Sequence, residues 1–257
     1  MLWSGRMFRA RFLVPVFVLL SAAPAAAITG HASVALKQGR GAVMIVGARG
    51  TVCTGAAVAA DLVLTAGHCT VSGNAYKIAD GVGMFAPTLA TVTGISRHPN
   101  FNLQTMLAHR ATADVALMKL SQPLPDAIVP AQLSRSTAVP KPGDRFTVLG
   151  YGLAAHGNEG SLGVLRAASL VATGHPGNLQ LRLVDPATKG VAFGMGACTG
   201  DSGAPVYENG ALVGVVSWST GPNLEDGCGG LTGVTPLTLY RGWIIDTAKR
   251  LGSPLPP

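Results

Sequence analysis

Three short segments of this chain place a histidine, an aspartate and a serine among small or apolar neighbours. They are 64–69 (LTAGHC), 113–117 (ADVAL) and 196–205 (GACTGDSGAP). A neutral hydroxyl is a weak nucleophile, so a serine that attacks a carbonyl needs a histidine to take its proton and later protonate the leaving group. A carboxylate on the other ring nitrogen selects the tautomer and stabilises the imidazolium. The segments therefore predict acyl transfer by Ser202, His68 and Asp114.

The immediate neighbours of these residues favour the same chemistry. Gly200 and Gly203 flank the serine, so no side chain prevents backbone N–H groups from turning toward one point, where a developing oxyanion could be stabilised. Asp114 lies at the edge of an apolar run, where an unpaired carboxylate would be costly. The remaining histidines lie in no such pattern and are expected to be ordinary surface or core residues: His31, His98, His109, His156 and His175.

The elements that must position these segments are short apolar runs, many rich in Val, Ile or Thr and separated by turn residues. Strands are predicted at 42–46, 58–64, 88–95, 115–120, 146–149, 164–171, 180–184 and 211–218. Asn209-Gly210 predicts a tight hairpin before the last of them. Only 237–251 has helical spacing of its apolar residues, including Leu239, Trp243 and Ile244. Strands without intervening helices predict an all-β fold, and the Pro-rich stretch 123–142 divides them into two groups.

The amino-terminal segment predicts that the protein is exported. Residues 1–27 combine three arginines, a short apolar run and a final Ala-x-Ala, which is a signal-peptide pattern. The run contains Pro15 and is too short for a membrane span, so we expect no stable membrane anchor after cleavage. Without this segment the formal charge falls from +7 to +4, a surplus too small and dispersed to indicate nucleic-acid binding. We expect a secreted or periplasmic protein.

Four cysteines remain in the exported region, an even number that suggests two disulfides with three possible pairings. They are Cys53, Cys69, Cys198 and Cys228, and no CxxC pair supports a zinc or redox site.

The three motifs together resemble the trypsin/chymotrypsin family of serine peptidases. TAGHC is similar to the family's TA-[AS]-HC, ADVALMKL to its D-[IV]-[AM]-L-[ILM]-[KR]-L, and GDSGAP to its GDSG-[GAS]-P. The order His, Asp, Ser is also the family's order. The resemblance extends from Ile28 to the terminal helix. It implies two six-stranded antiparallel β-barrels, about 28–138 and 139–236, followed by a C-terminal helix at about 237–251.

The resemblance also implies roles for individual residues. Ser202 would be the nucleophile, His68 the general base and then acid, and Asp114 the orienting carboxylate, while the N–H groups of Gly200 and Ser202 would form the oxyanion hole. The segment 217–219 (Ser217, Trp218 and Ser219) resembles the family's SWG segment, whose backbone binds the substrate as an added strand. The family pairing of cysteines would be Cys53–Cys69 and Cys198–Cys228. The absence of the family's other common bridges is more typical of its bacterial members.

Substrate preference is expected to depend on three positions that align with the family's specificity pocket. Gly196 stands where trypsin-like members carry Asp, so an Arg or Lys side chain would find no counter-ion there. Gly233 leaves room at one wall, and Ser219 in place of the usual Gly narrows the opening. We therefore expect an uncharged residue of small to medium size before the cleaved bond.

Asp201 precedes the nucleophile and is expected to be buried, so it needs a cationic partner. In the family that partner is the new α-amino group of an Ile-Val-Gly-Gly terminus. Here Ile28-Thr29-Gly30-His31 follows Ala27 and departs from that terminus at Thr29 and His31. We hypothesise that signal-peptide removal itself exposes Ile28, which then inserts beside Asp201. The alternative is that Ile28 is merely the first apolar residue of a strand.

Two other classes of function are weighed against the endopeptidase. A catalytically silent relative that serves as a binding module would be consistent with the fold, although the intact triad argues against it. An α/β-hydrolase esterase would need Gly-x-Ser-x-Gly, and position 204 is alanine. No calcium-type loop follows His68, so neither a metal nor another cofactor is expected. A protein or peptide is the expected partner of a monomeric enzyme.

Overall fold

The computed structural model describes residues 1, 28–30, 32–35, 41–73, 75–80, 87–174 and 179–257. The predicted signal peptide apart from Met1, together with His31 and His175, lies outside the described residues. Among the residues described, no helix is both long and apolar enough to cross a membrane.

Thirteen strands are present in the described residues, and all their pairings are antiparallel. They are β1 (Ser33–Val34), β2 (Ala42–Gly47), β3 (Val52–Ala59), β4 (Leu62–Thr65), β5 (Tyr76–Ala79), β6 (Thr88–Arg97), β7 (Ala116–Leu120), β8 (Arg145–Gly150), β9 (Arg166–Gly174), β10 (Leu181–Val184), β11 (Pro205–Glu208), β12 (Ala211–Ser219) and β13 (Thr232–Pro236). Two α-helices accompany them, α1 (Leu103–Leu107) and α2 (Arg241–Arg250).

The strands form two closed six-stranded barrels, as predicted. The first has the order β2-β3-β4-β7-β6-β5, and the second closes as β8-β9-β10-β13-β12-β11, with β1 added beside β9. The Pro-rich stretch 123–142 lies between β7 and β8, the last strand of one barrel and the first of the other. Closure leaves each barrel without free edges to pair with another chain.

Alternating side chains from each strand fill the barrel interiors, as the period of two requires. Val43, Ile45, Val63 and Met118 belong to the first core. The second core contains the buried residues Phe146, Val148, Leu170, Leu183, Val206 and Val216, together with Ile28. A third cluster of buried apolar residues joins α2 to strands of both barrels, so the helix packs across the junction between them.

The hairpin at Asn209-Gly210 is confirmed, since both residues have positive φ (50° and 81°) and Glu208 pairs with Ala211 across the turn. The predicted strand at 58–64 is wrong because the chain turns at 60–61, between β3 and β4. Short β5 and β13 were not predicted, and neither was α1, which Asn102 caps through its side chain on the Thr105 N–H (2.9 Å).

The predicted terminal helix is present but starts later than expected. Residues 237–240 form a 3₁₀ turn, so α2 begins at Arg241. A 3₁₀ turn has three residues per turn instead of 3.6, which shifts the phase of the apolar face. Leu239 is consequently 50% exposed, whereas Ile244 is fully buried against both barrels.

The docking of α2 is testable with Ile244→Ala, which would leave a cavity in the cluster that joins the two barrels. We expect a loss of about 2–5 kcal/mol in the free energy of unfolding, measured by urea titration. Leu239→Ala on the preceding turn is the control and should change it by less than about 0.5 kcal/mol. Equal effects of the two substitutions would contradict this account of the helix.

Candidate active site

His68 and Asp114 lie together because two strands of the first barrel are paired. Thr65 at the end of β4 is opposite Ala116 at the start of β7, so the turn after β4 meets the residues before β7. His68 lies in that turn, and its Nδ1 is 2.8 Å from Oδ2 of Asp114. The His68 backbone N–H also donates to Oδ1 of Asp114, at 2.9 Å. Two bonds to one carboxylate fix the imidazole orientation that a general base requires.

The carboxylate of Asp114 is fully buried and is satisfied by a third donor. The Ser217 hydroxyl, from β12 of the second barrel, donates to Oδ2 at 2.5 Å. Burying a carboxylate is costly unless hydrogen bonds replace its water, and here all three donors come from the site itself. Ser217, which the motif resemblance places in the substrate-binding segment, therefore also supports the His–Asp pair.

The loop that carries Ser202 is held between the two barrels by its backbone. The Ser202 carbonyl accepts from the Thr54 amide of β3 (2.8 Å), and the Gly203 amide donates to the Val216 carbonyl of β12 (2.7 Å). Gly203 has φ of 78°, and a Cβ there would overlap Thr65 and the carbonyl of Thr54. Glycine is needed at this position because of both the conformation and the close approach of the first barrel.

His68 and Ser202 line the same cleft, which has a volume of about 400 Å³ and also contacts Ser217, Trp218 and Ser219. The His68–Asp114 bonds are formed, whereas none joins the Ser202 hydroxyl to His68 among the described side chains. Hydrogen bonds of this kind are often long without substrate and tighten in the complex.

The backbone amides beside Ser202 are available to a ligand. Within the described chain, neither the Gly200 N–H nor the Ser202 N–H donates to another protein group, although their neighbours are bonded, for example the Asp201 amide to the Cys198 carbonyl (2.9 Å). The Gly200 carbonyl is held by the Thr54 hydroxyl at 2.9 Å. Two unpaired N–H groups next to the serine are the donors that an oxyanion would need.

Both disulfides have the pairing implied by the resemblance. Cys53–Cys69 joins β3 to the histidine turn, and Cys198–Cys228 joins the serine loop to the loop before β13. Cys53, Cys69 and His68 lie close together, but the two sulfurs are bonded to each other and offer no thiolate to a metal.

Only one of the three positions predicted to form the specificity pocket lies in the cleft. Ser219 lines it, whereas Gly196 and Gly233 do not. Gly196 is buried, and its carbonyl accepts from the Thr29 amide at 3.0 Å. Gly233 was expected to leave room, but a Cβ there would overlap the indole of Trp218, which packs directly on it. The space beside Gly233 is therefore occupied by the protein's own side chain.

Sequence reasoning missed several residues around the cleft. Leu103, Met106 and Leu107 of α1 line it, and a helix of one and a half turns gives too little periodicity to be recognised. The His109 ring stacks on Trp218 with centroids 4.7 Å apart, a contact that the expectation of an ordinary surface or core residue did not include. Nothing in the sequence indicated that contact.

Asp201 is fully buried behind the serine, and its carboxylate accepts from the amides of Gly152 (2.8 Å) and Cys198 (2.9 Å). Burial raises its pKa from 3.8 to about 7, against the lowering effects of those hydrogen bonds and of the Arg166 charge. Ile28 is also fully buried and packs in the second barrel's core.

These features define a two-barrel protein of the chymotrypsin-like class, with a histidine–aspartate pair and a serine on facing sides of one cleft. A family model described as Trypsin matches residues 24–244, and the chain belongs to that family. Trypsin alpha of Drosophila melanogaster is 26% identical over 211 residues, covering 77% of this chain and 78% of that protein. Human kallikrein-15 is 34% identical over 182 residues, covering 63% of this chain and 66% of that protein.

Solved structures agree on the fold. Human heparin binding protein superposes with a TM-score of 0.67 at 22% identity, covering 89% of this chain and all of that one. Mouse neuropsin, named as a serine protease, gives 0.65 at 22% identity, covering 84% of this chain and 98% of that one. The relatives named here are animal proteins, so they give no support to the expectation of a bacterial type.

The hydrogen bond between Ser217 and Asp114 is testable with Ser217→Ala. Removing a donor from a buried carboxylate should lower the free energy of unfolding by about 1.5–3 kcal/mol, measured by denaturant titration. Ser219→Ala, two residues away in the same strand, is the matched control because its hydroxyl makes only a 3.4 Å contact with the Gly227 carbonyl. If the two variants lose the same stability, the Ser217 bond does not have this role.

Proposed function

We propose that this protein is a secreted serine endopeptidase that hydrolyses peptide bonds through an acyl-enzyme on Ser202. The observation that carries the proposal is the fully buried Asp114, bonded to both the ring and the backbone of His68 at the edge of the cleft that Ser202 lines. Burying a carboxylate costs free energy of folding. A buried carboxylate that orients an imidazole toward a cleft is therefore better explained by general-base catalysis than by a contribution to stability.

The proposed reaction follows from the placement of these groups. His68 Nε2 takes the Ser202 hydroxyl proton as Oγ attacks the substrate carbonyl carbon, and the carbonyl oxygen becomes an oxyanion bound by the amides of Gly200 and Ser202. The imidazolium, stabilised by Asp114, then donates that proton to the leaving amine as the C–N bond breaks. Water attacks the resulting ester by the same route, with His68 again as base, and this releases the acid and restores Ser202.

The substrate is proposed to be an extended segment of a protein or peptide. β12 ends at Ser219 beside the cleft, and the backbone of 217–219 could pair with such a segment as an added strand. Gly196 does not line the cleft described above, but it aligns with the base of the family's specificity pocket. It supplies no counter-ion there for a basic side chain, which favours an uncharged residue before the cleaved bond.

We further propose that the protein is exported and that its signal peptide is cleaved off immediately before Ile28. Ile28 has φ of 46°, which is a strained conformation for a β-branched residue, and this torsion ceases to exist once the bond to Ala27 is cut. Ile28 is packed in the second core and Asp201 is fully buried, so the new amino group would be released inside the protein, where it could pair with the Asp201 carboxylate.

The second candidate is a silent binding module of the same fold. Two of the structures with similar folds are named as human heparin binding protein and a scabies mite inactivated protease paralogue, so the fold alone does not establish catalysis. The intact His68–Asp114 pair and the unpaired amides of Gly200 and Ser202 favour the enzyme.

The proposed nucleophile is tested by reacting the exported protein with a fluorophosphonate and locating the label by mass spectrometry. We expect one label on Ser202 and, in a casein assay, a loss of at least about a thousandfold in Ser202→Ala, because only binding and the oxyanion donors would remain. Ser169→Ala, an exposed serine on β9, is the control. An unlabelled, folded protein would favour the binding module.

The proposed preference is tested with Gly196→Asp and a panel of peptides that differ only before the cleaved bond. The wild type should cleave after an uncharged residue at least about tenfold faster, as kcat/KM, than after Arg, and the variant should narrow or reverse that ratio. Gly196→Ala controls for added bulk. Fast cleavage after Arg by the wild type would refute the assignment of Gly196.

A further inference from the structure

The two unpaired amides of the serine loop are held in direction by the far ends of their own peptide units. The carbonyl of Thr199, which shares a planar unit with the Gly200 N–H, accepts from the Leu153 amide at 2.8 Å. The carbonyl of Asp201, which shares a unit with the N–H of the serine, accepts from the Ala204 amide at 2.9 Å. The C=O and N–H of a trans peptide point in opposite directions, so each bonded carbonyl directs a free N–H to the other side.

The two peptide units that alternate with these are both bonded to one residue of the first barrel, Thr54. The Thr54 hydroxyl donates to the Gly200 carbonyl at 2.9 Å, and the Thr54 backbone N–H donates to the Ser202 carbonyl at 2.8 Å. Among the described residues, no other donor reaches the Gly200 carbonyl. Thr54 therefore binds the carbonyls of both residues whose own amides are unpaired.

Gly200 needs such an external bond because its own backbone does not restrict it. Its φ is 95°, and a Cβ there would lie 2.8 Å from the Leu162 side chain and 2.9 Å from the Gly152 backbone, so only glycine fits. Glycine has the widest choice of φ and ψ, so rotation of the peptide units on either side of Gly200 is opposed by their hydrogen bonds and not by a side chain. On the carboxyl side of Gly200, the carbonyl is held by the Thr54 hydroxyl.

The alternation of β3 directs the Thr54 side chain toward the second barrel. Cys53 belongs to the core of the first barrel, whereas Thr54 and Ala56 lie on the opposite face of the strand, Ala56 in the cluster that joins the barrels. Thr54 is fully buried, and its hydroxyl also accepts from the Tyr151 amide at 3.1 Å. A valine would fill nearly the same space, but it would leave the Gly200 carbonyl and the Tyr151 amide without these bonds.

We propose that Thr54 is a positioning residue for catalysis. Its hydroxyl keeps the peptide units of Gly200 in the orientation that leaves the amides of Gly200 and Ser202 free to bind an oxyanion. Thr54 does not line the cleft, so it acts through the serine loop and contacts no substrate. This inference rests on the proposed function, because the orientation of these amides matters only if they stabilise an oxyanion.

A positioning role of this kind has a kinetic signature that a merely structural role lacks. The oxyanion exists in the transition state and not in the bound substrate, so a misdirected donor lowers kcat and leaves KM nearly unchanged. A loosened barrel junction would raise KM as well, because residues of both barrels line the cleft, among them Val52 and Trp218. The acid limb of the pH profile should not move, since the bonds between His68 and Asp114 do not involve Thr54.

The test is Thr54→Val, assayed with a peptide substrate and corrected for the amount of Ser202 that a fluorophosphonate labels at completion. We expect kcat to fall by about ten- to hundredfold with KM within about twofold, less than the loss of a whole oxyanion donor because the amides are misdirected but still present. A peptide aldehyde should bind more weakly by a similar factor, because addition of the Ser202 hydroxyl across its C=O bond forms a hemiacetal whose oxygen faces these amides. The matching peptide alcohol forms no adduct and should bind the variant and the wild type equally.

Two further variants separate positioning from structural damage. Thr54→Ser keeps the hydroxyl and should retain most of the wild-type kcat. Thr247→Val is the matched control, because it also removes the hydroxyl of a buried threonine, one on α2 that accepts from Arg250 at 2.6 Å, and it should leave kcat unchanged. The proposal is overturned if Thr54→Val keeps the wild-type kcat, if its KM rises as much as its kcat falls, or if the aldehyde and the alcohol lose affinity equally.

The serine and alanine variants decide the question if Thr54→Val does not fold, because both leave the same gap and differ only in the hydroxyl. Thr54→Ala should then have a kcat lower than that of Thr54→Ser by at least about tenfold, and equal values would overturn the proposal. An alanine variant that also fails to fold would make the hydroxyl a requirement of folding, which would overturn it too. A folded wild type that neither cleaves the peptide nor reacts with the fluorophosphonate would instead contradict the proposed function itself.

Discussion

The Ser202 carbonyl accepts a hydrogen bond from the Thr54 amide of the first barrel, and the next residue donates to the Val216 carbonyl of the second. These two bonds attach the serine loop to both barrels at once. The histidine and the aspartate belong to the first barrel, so their distance from the serine depends on how the barrels are joined. Thr54 strengthens the junction with its hydroxyl, which donates to Gly200 and accepts from Tyr151.

Two buried aspartates lie on either side of this junction, and they are stabilised differently. Asp114 accepts three hydrogen bonds, two from His68 and one from Ser217. Asp201 accepts from two backbone amides, and burial still raises its pKa to about 7. The carboxylate of Asp114 is thus fully hydrogen-bonded by other residues of the candidate site, whereas the charge of Asp201 is only partly compensated. Such a residue can respond to an additional cation, which is why an amino terminus released at Ile28 matters to the proposed mechanism.

Prediction from sequence was most successful where one residue type is required locally. The Asn209-Gly210 hairpin follows from two positive φ angles, and both disulfide pairings follow from the motif resemblance. Prediction was weakest for elements that long-range pairing creates. β5 and β13 are four and five residues long and contain too few alternating positions to be recognised alone. They are strands because neighbouring strands already provide hydrogen-bonding edges on both sides.

The sequence by itself determined the fold class and the residues proposed for catalysis, because the motifs around His68, Asp114 and Ser202 require particular side chains at particular positions. Only the tertiary structure decided what surrounds them. The indole of Trp218 covers Gly233, the ring of His109 stacks on that indole, and the Ser217 hydroxyl donates to the buried carboxylate of Asp114. None of these contacts has a sequence signal, since each joins residues on separate strands or loops whose approach is set by barrel closure and packing.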